Sequence, residues 1–242
     1  MGSDPKNSHY PWRVAKTQNA YYDRTLKDFK VTLQLHAFDT PNGRKISVAL
    51  EEMGLPYEVQ VVDITKGEQN DPAFLKISPN NKIPAIVDPD GPGGQPISVF
   101  ESGAILLYLG EKTGQFWPQD ARARVTVMEW LMFQMGGFGP MPGQVHHFAG
   151  LDNEADRRYG LERFMAETRR LYGVMNRRLA DHAFFAGEEM SIADFAIVGW
   201  AWRHERHKIA MADFAHVQRW YRAMMVRPGV ARGFAVALKR AS

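Results

Sequence analysis

The stretch Ile83-Pro84-Ala85-Ile86-Val87-Asp88, followed after a Gly/Pro-rich turn by Val99-Phe100-Glu101-Ser102-Gly103, sets the frame for the rest of the chain. Proline cannot donate to a sheet ladder, so Pro84 belongs at a strand start, a sheet edge or a cis bend. A cis Ile83–Pro84 bond would turn the backbone of Ile83 outward and offer its N–H and C=O to an extended peptide, with the strand that begins there expected at a sheet edge. Glu101-Ser102 falls at a strand-to-helix junction, where free N–H groups and the helix dipole attract a carboxylate. Glu101 can pair with an ammonium beside it. Each feature alone has a plainer use: a strand start, a helix-start acid, a cap. Together they outline a receptor for a small zwitterionic peptide.

Working outward, Val31, Leu33, Leu35 and Ala37 alternate with polar neighbours as a half-buried strand does. Asp39-Thr40-Pro41-Asn42-Gly43 is a turn cluster, after which Ile46, Ala49, Leu50 and Met53 mark one face of a helix that Gly54 ends. Tyr57, Val59 and Val61 form a second alternating run. Asp71-Pro72 opens a short helix through Ile77, and Ser78-Pro79-Asn80-Asn81 turns into the strand at Ile83. The loop from Pro89 to Gln95 closes a hairpin onto Ile97-Ser98-Val99-Phe100, and Ser102 caps a helix through Leu109 that ends near Gly114. The order βαβαββα, with a parallel first pair and an antiparallel second, is the thioredoxin-like arrangement.

From Pro118 the period becomes helical. Apolar faces appear at Val125, Met128, Trp130, Leu131 and Phe133, with long runs at 154–181, 191–204 and 214–227, where Pro228 stops the last. Ser191-Ile192-Ala193-Asp194 has the form of a capping box, and Asp194 reads as structural. Gly136-Gly137-Phe138-Gly139-Pro140 should break a helix near an interdomain cleft. The aromatic and Met residues around it divide between core and cleft wall. The fold class is α/β plus all-α: an arm at 1–30, a thioredoxin-like domain at 31–115, a linker at 116–120 and a helical domain at 121–242.

Composition narrows the function. The chain of 242 residues has no cysteine, which removes disulfides, a thiolate nucleophile and cysteine-ligated metal. A net charge of +3 from 30 basic and 27 acidic residues, well interspersed, argues against nucleic acid. No apolar run approaches the roughly 20 residues of a membrane helix, and residues 1–10 carry no signal-peptide pattern. A cytoplasmic protein is expected. His146-His147 point about 100° apart on a helix. His204-x-x-His207 sits among Arg203, Glu205, Arg206 and Lys208 and reads as a solvated helix end, so no metal is expected.

From Val31 to Leu238 the chain resembles the glutathione transferase family, most closely its bacterial Nu class. The resemblance is carried by Thr40-Pro41-Asn42-Gly43, by the run from Ile77 to Asp88, by the run from Phe100 to Tyr108 and by Ser191 to Asp194. It implies that glutathione, as co-substrate, is the peptide. Ile83, beside Pro84, would hold its cysteinyl backbone. Glu101 and Ser102 would hold the γ-glutamyl end, and Gln69 and Lys82 the glycyl carboxylate. Thr40 and Asn42 would sit at the sulfur as the catalytic pair, and Arg163 would anchor a second glutathione. It also implies a homodimer, with glutathione or glutathione disulfide and a small hydrophobic or disulfide compound as partners.

Where many classes place Tyr, Ser or Cys at the sulfur, this chain has Thr40 and Asn42, which fits disulfide reduction better than conjugation. A transferase or ether-cleaving lyase acting on aromatic electrophiles, and a non-catalytic binding or regulatory module, are the alternatives. Thiolate is the nucleophile, and a free thiol is mostly protonated at neutral pH. Hydrogen bonds from Thr40, Asn42 and the free N–H groups of the following helix would favour S⁻.

Overall fold

The computed structural model describes residues 31–238, so the arm at 1–30 lies outside the described residues. Strand β1 (Leu33–Ala37) buries alternate residues, as its spacing predicts. It is followed by α1 (Pro41–Met53), β2 (Tyr57–Val61), α2 (Pro72–Leu75), β3 (Ala85–Asp88), β4 (Ile97–Phe100) and α3 (Ser102–Thr113). The sheet runs β2-β1-β3-β4. Strand β1 pairs in parallel with β2, antiparallel with β3, and β3 pairs antiparallel with β4, with Leu35 opposite both Val59 and Ile86. The expected βαβαββα order is present.

Strand β3 is not the expected edge: it lies between β1 and β4. Its first ladder residue is Ala85, opposite His36 and Phe100. Pro84 therefore precedes the ladder, where a missing N–H breaks no sheet bond. The Ile83–Pro84 peptide bond is cis.

Helix α1 starts earlier than the turn cluster suggests. Thr40 is its N-cap, with Oγ1 accepting the Gly43 N–H at 3.1 Å, and Pro41 opens the first turn. Thr-Pro is a helix-start signal as much as a turn signal, and here the long apolar face behind it decides. Gly54 ends the helix at φ 65°. Helix α2 is one turn, capped by Asp71, and stops short of Ile77. At α3 the cap position is Glu101 rather than Ser102, and no side chain caps it. The buried Lys112–Asp88 ion pair, 2.6 Å, ties α3 to β3.

The C-terminal half is helical: α4 (Ala121–Phe133), a π turn over Gln134–Phe138, α5 (Pro140–Ala149), α6 (Glu154–Asp181), α7 (Ile192–Ala201), α8 (Ala215–Met225) and α9 (Pro228–Ala235). The break at Gly136-Gly137 falls where the glycines put it. Pro228 does not simply stop a helix: it occupies the first turn of α9, where its missing N–H is free of cost. Ser191 and Asp194 form the capping box of α7. Asp194 also accepts the Trp220 indole N–H at 2.9 Å and the Phe185 N–H at 3.2 Å. Burial lifts its carboxyl to about 6 against the pull of these bonds.

The sheet, α7 and α9 enclose α1, and two glycines permit the approach. A Cβ at Gly199 would stand 2.8 Å from the Pro41 carbonyl oxygen and 2.9 Å from Lys45 Cγ. At Gly233 it would stand 2.5 Å from Val48 Cα. Gly199→Ala must therefore push α7 away from the first turns of α1, and we expect a loss of about 1–3 kcal/mol. Urea unfolding of the variant measures it, and an unchanged midpoint would show that the two helices are not held at this distance.

Candidate functional site

Four local structures meet at a cavity of about 150 Å³: the residues entering β3, the β4–α3 junction, the first turn of α1 and the π turn. Lys82, Ile83, Pro84, Glu101, Ser102, Asn42 and Met135 line it. The volume suits part of a tripeptide rather than a whole drug-sized ligand.

Glu101 has φ 68° and ψ 116°, in a region that L residues rarely adopt. Such a backbone costs about 1–3 kcal/mol and is kept only where the surroundings over-determine it. Its carboxylate accepts from Asn80 Nδ2 at 3.3 Å. Ser102, the first residue of α3, is buried, and its Oγ accepts from Lys45 Nζ at 3.1 Å. The serine O–H lies 3.6 Å from Met135 Sδ, a weak acceptor that a carboxylate readily outcompetes.

Lys45 is almost wholly buried, and its ammonium also donates to Gln134 Oε1 at 2.5 Å and to Met135 Sδ at 3.4 Å. Desolvation lowers its pKa to about 7, with the Glu101 charge pulling the other way. Burial thus works against the ammonium behind Ser102, while three acceptors, Ser102 Oγ, Gln134 Oε1 and Met135 Sδ, favour it.

Asn42 presents an asymmetric face. Its Oδ1 accepts the Trp200 indole N–H at 2.8 Å. Thr40 lies two residues before it as the cap of α1, with Oγ1 engaged as an acceptor and its hydroxyl hydrogen free to donate. Thr40 does not itself line the cavity.

Two expected residues stand apart. Gln69 lies in the 3₁₀ turn Glu68–Asn70, with its Oε1 buried and unpartnered. Arg163 projects from α6 into a separate cavity of about 510 Å³, with Met141, Phe164, Ala166, Glu167 and Arg170. The first cavity therefore gathers Asn42, Lys82, Ile83, Pro84, Glu101 and Ser102, and leaves Gln69 and Arg163 outside it.

The structure adds Lys45, Gln134 and Trp200, which sequence reasoning missed. Lys45 falls beside the apolar face of α1, where a lysine ordinarily reaches solvent; the packing of α7, α3 and the π turn around it buries it. Trp200 sits in an unbroken apolar run, and nothing in that run says its N–H meets Asn42. A second correction concerns His207. Residues 202–208 are turns rather than a helix end, and His207 is fully buried, with Nδ1 3.2 Å from the Tyr172 hydroxyl. Its ring stacks on His146 at 4.9 Å. Among the described residues no group of three or more His, Cys, Asp or Glu side chains is placed to hold a metal, and no helix is long and apolar enough to cross a membrane.

Comparison with known proteins places the chain in a family. The family model for the glutathione S-transferase N-terminal domain matches residues 40–112, and that for the C-terminal domain matches residues 144–228. The disulfide-bond oxidoreductase YfcG of Escherichia coli is 48% identical over 200 residues, 81% of this chain and 91% of YfcG. A glutathione transferase from Burkholderia graminis, solved with two glutathione molecules per subunit, is 45% identical at a TM-score of 0.80, covering 85% of this chain and 88% of its own. One from Pseudomonas putida, solved with one glutathione disulfide per subunit, is 46% identical at a TM-score of 0.80 and covers 85% and 92%. With both halves matched in order by one family's models, and relatives of this identity aligned over most of their length, the chain belongs to the glutathione S-transferase family.

Proposed function

We propose that this protein is a glutathione-dependent disulfide-bond reductase, binding two glutathione molecules or one glutathione disulfide per subunit. The observation that carries it is the convergence of Ile83, Glu101, Ser102 and Asn42 on one cavity in a chain without cysteine. The cavity offers a carboxylate for an ammonium, a hydroxyl backed by a buried amine for a carboxylate, and an amide for a sulfur. No protein thiol can enter the reaction, so both sulfurs of the reducing pair come from glutathione.

The chemistry then balances in two displacements. One glutathione thiolate attacks a substrate disulfide, forming a mixed disulfide and expelling a substrate thiolate. A second glutathione thiolate attacks the glutathione sulfur of the mixed disulfide, giving glutathione disulfide and a second substrate thiolate. The protons lost by the two glutathione thiols return to the two leaving thiolates. In this reading Ile83 holds the cysteinyl backbone, Glu101 and Ser102 the γ-glutamyl end, and Gln69 and Lys82 the glycyl carboxylate. Thr40 and Asn42 favour the thiolate, and Arg163 anchors the second glutathione. The places of Gln69 and Arg163 rest on the family resemblance alone.

The same reading gives a homodimer acting in the cytoplasm, with the domain division falling at residues 116–120, between α3 and α4. What supports the dimer is a stripe on α4: Val125, Met128 and Met132 recur at i, i+3 and i+7 and stay 50%, 38% and 51% exposed. In the sequence Val125 and Met128 mark an apolar helix face, and Met132 falls among the residues divided between core and cleft wall. An exposed apolar stripe of this kind suits an interaction surface, and in this reading a second copy of the chain covers it.

Turnover of hydroxyethyl disulfide with glutathione, alongside a chlorinated aromatic with glutathione, tests the activity. Rapid disulfide reduction with slow conjugation is expected; the reverse, or neither, would overturn the reading. Lys45 gives a pH-dependent outcome. Its folded pKa near 7 lies below the ordinary value of 10.5, so above pH 7 the amine is mostly neutral. A ligand carboxylate at Ser102 favours the ammonium. Binding of S-methylglutathione, which has no thiol to titrate, should then take up protons between about pH 7 and 9 and weaken as pH rises. Calorimetry in buffers of different ionisation enthalpy reads this uptake, and Lys45→Met should remove its share. Equal uptake by both proteins would dissociate Lys45 from the carboxylate. Finally, Met132→Glu should shift the species sedimenting as a dimer towards the 27.5 kDa chain. A wild type that is already monomeric at micromolar concentration would remove the dimer.

A further inference from the structure

We infer that Trp200 is a positioning residue for the reaction: its indole N–H fixes the Asn42 side chain so that the amide meets the bound sulfur only as a hydrogen-bond donor. This rests on the glutathione reading above and assigns a role to a residue outside the cavity lining. An amide has one accepting end and one donating end, and an isolated asparagine turns either towards a ligand. An indole N–H can only donate. With Trp200 Nε1 at 2.8 Å from Asn42 Oδ1, the oxygen is held away and the two N–H bonds of Nδ2 remain for the cavity that Asn42 lines. That orientation favours a thiolate; the opposite one would set a carbonyl oxygen against it.

Trp200 is itself held without freedom to turn. It is buried, and its ring stacks on His146 at 5.9 Å and 18° and on His207 at 6.1 Å and 21°. The imidazoles stack on each other at 4.9 Å, and His207 is fixed in turn by the Tyr172 hydroxyl. Gly143 makes room for the ring, since a Cβ there would lie 3.3 Å from Trp200 Cη2. Burial and the neighbouring Arg203 and Arg206 hold both imidazoles neutral, to about 4 for His146 and about 3 for His207, so the stack carries no charge at neutral pH. The indole of this fixed plate has a single N–H, and Asn42 Oδ1 accepts it.

Trp200→Phe keeps a ring in the stack and deletes the donor. Ultraviolet titration of the thiolate of bound glutathione should show its pKa raised by about one unit. Disulfide reduction should fall about tenfold at neutral pH and recover at alkaline pH, where thiolate forms unaided. A merely structural tryptophan would lower activity at all pH values and leave the thiol pKa alone. Because Trp200 acts through Asn42, Asn42→Ala and the double variant Asn42→Ala/Trp200→Phe should share one thiol pKa. Should Trp200→Phe fail to fold, the wild-type protein answers the question by NMR. The indole N–H resonance that Asn42→Ala perturbs should move with the titration of bound glutathione and stay still with S-methylglutathione. A thiol pKa unchanged by Trp200→Phe, or an indole resonance indifferent to the thiol, overturns the inference while leaving glutathione binding intact. Absence of glutathione binding by the wild type overturns both.

Discussion

Enclosure of α1 is the constraint on which the other features depend. A helix packed against the sheet on one side and against α7 and α9 on the others has little water left for its polar residues. Each must find a partner inside or carry a large desolvation cost. Arg44 donates to Asp39 at 2.7 and 3.0 Å and to the Gly233 and Val236 carbonyls at 3.2 and 2.8 Å. Ser47 donates to the Gly233 carbonyl at 2.8 Å. Lys45 turns to Ser102, Gln134 and Met135. The polar groups that lock α1 to the helical half are therefore neighbours of those that prepare the cavity, and Gly199 sets how closely α7 can stand behind both.

Much of the fold is legible in the sequence because its signals are local and periodic. Leu33, Leu35 and Ala37 alternate; Ile46, Ala49, Leu50 and Met53 repeat at helical spacing; Ser191 and Asp194 cap a helix that is apolar all round. The misreadings share one cause. Pro84 is compatible with an edge or with a position just before a central strand, and only the pairing of β1 with β3 decides. Thr40-Pro41 and Arg227-Pro228 each end one segment and begin a helix, and a proline alone does not say which side matters. Apolar spacing on α4 likewise cannot separate a face turned to the core from one left exposed, as Val125 and Met128 are.

The site divides along the same line. Ile83, Glu101 and Ser102 are visible because a strand start and a helix start create their chemistry within a few residues. Lys45, Gln134 and Trp200 are invisible because their chemistry exists only after distant segments meet: Lys45 and Ser102 are 57 residues apart, and Asn42 and Trp200 are 158 apart. His207 teaches the reverse lesson. Its charged neighbours in sequence suggest water, yet the packing of Tyr172, Phe138 and His146 around it makes it core.

These distant contacts give the cavity its polarity. At the β4–α3 junction a carboxylate and an ammonium stand on successive layers: Glu101 lines the cavity, and Lys45 lies behind Ser102. A ligand bearing only a carboxylate gains from Lys45 but meets Glu101; one bearing only an ammonium gains from Glu101 but brings a second cation near Lys45. A zwitterion with both groups on one carbon satisfies the two layers at once, and in the proposed function the γ-glutamyl end of glutathione is that zwitterion. At the end proposed for the sulfur, Asn42 lines the cavity with its amide oxygen already engaged by Trp200. In the proposed reading the cost of orienting that amide has already been met in folding, before a thiolate enters the cavity.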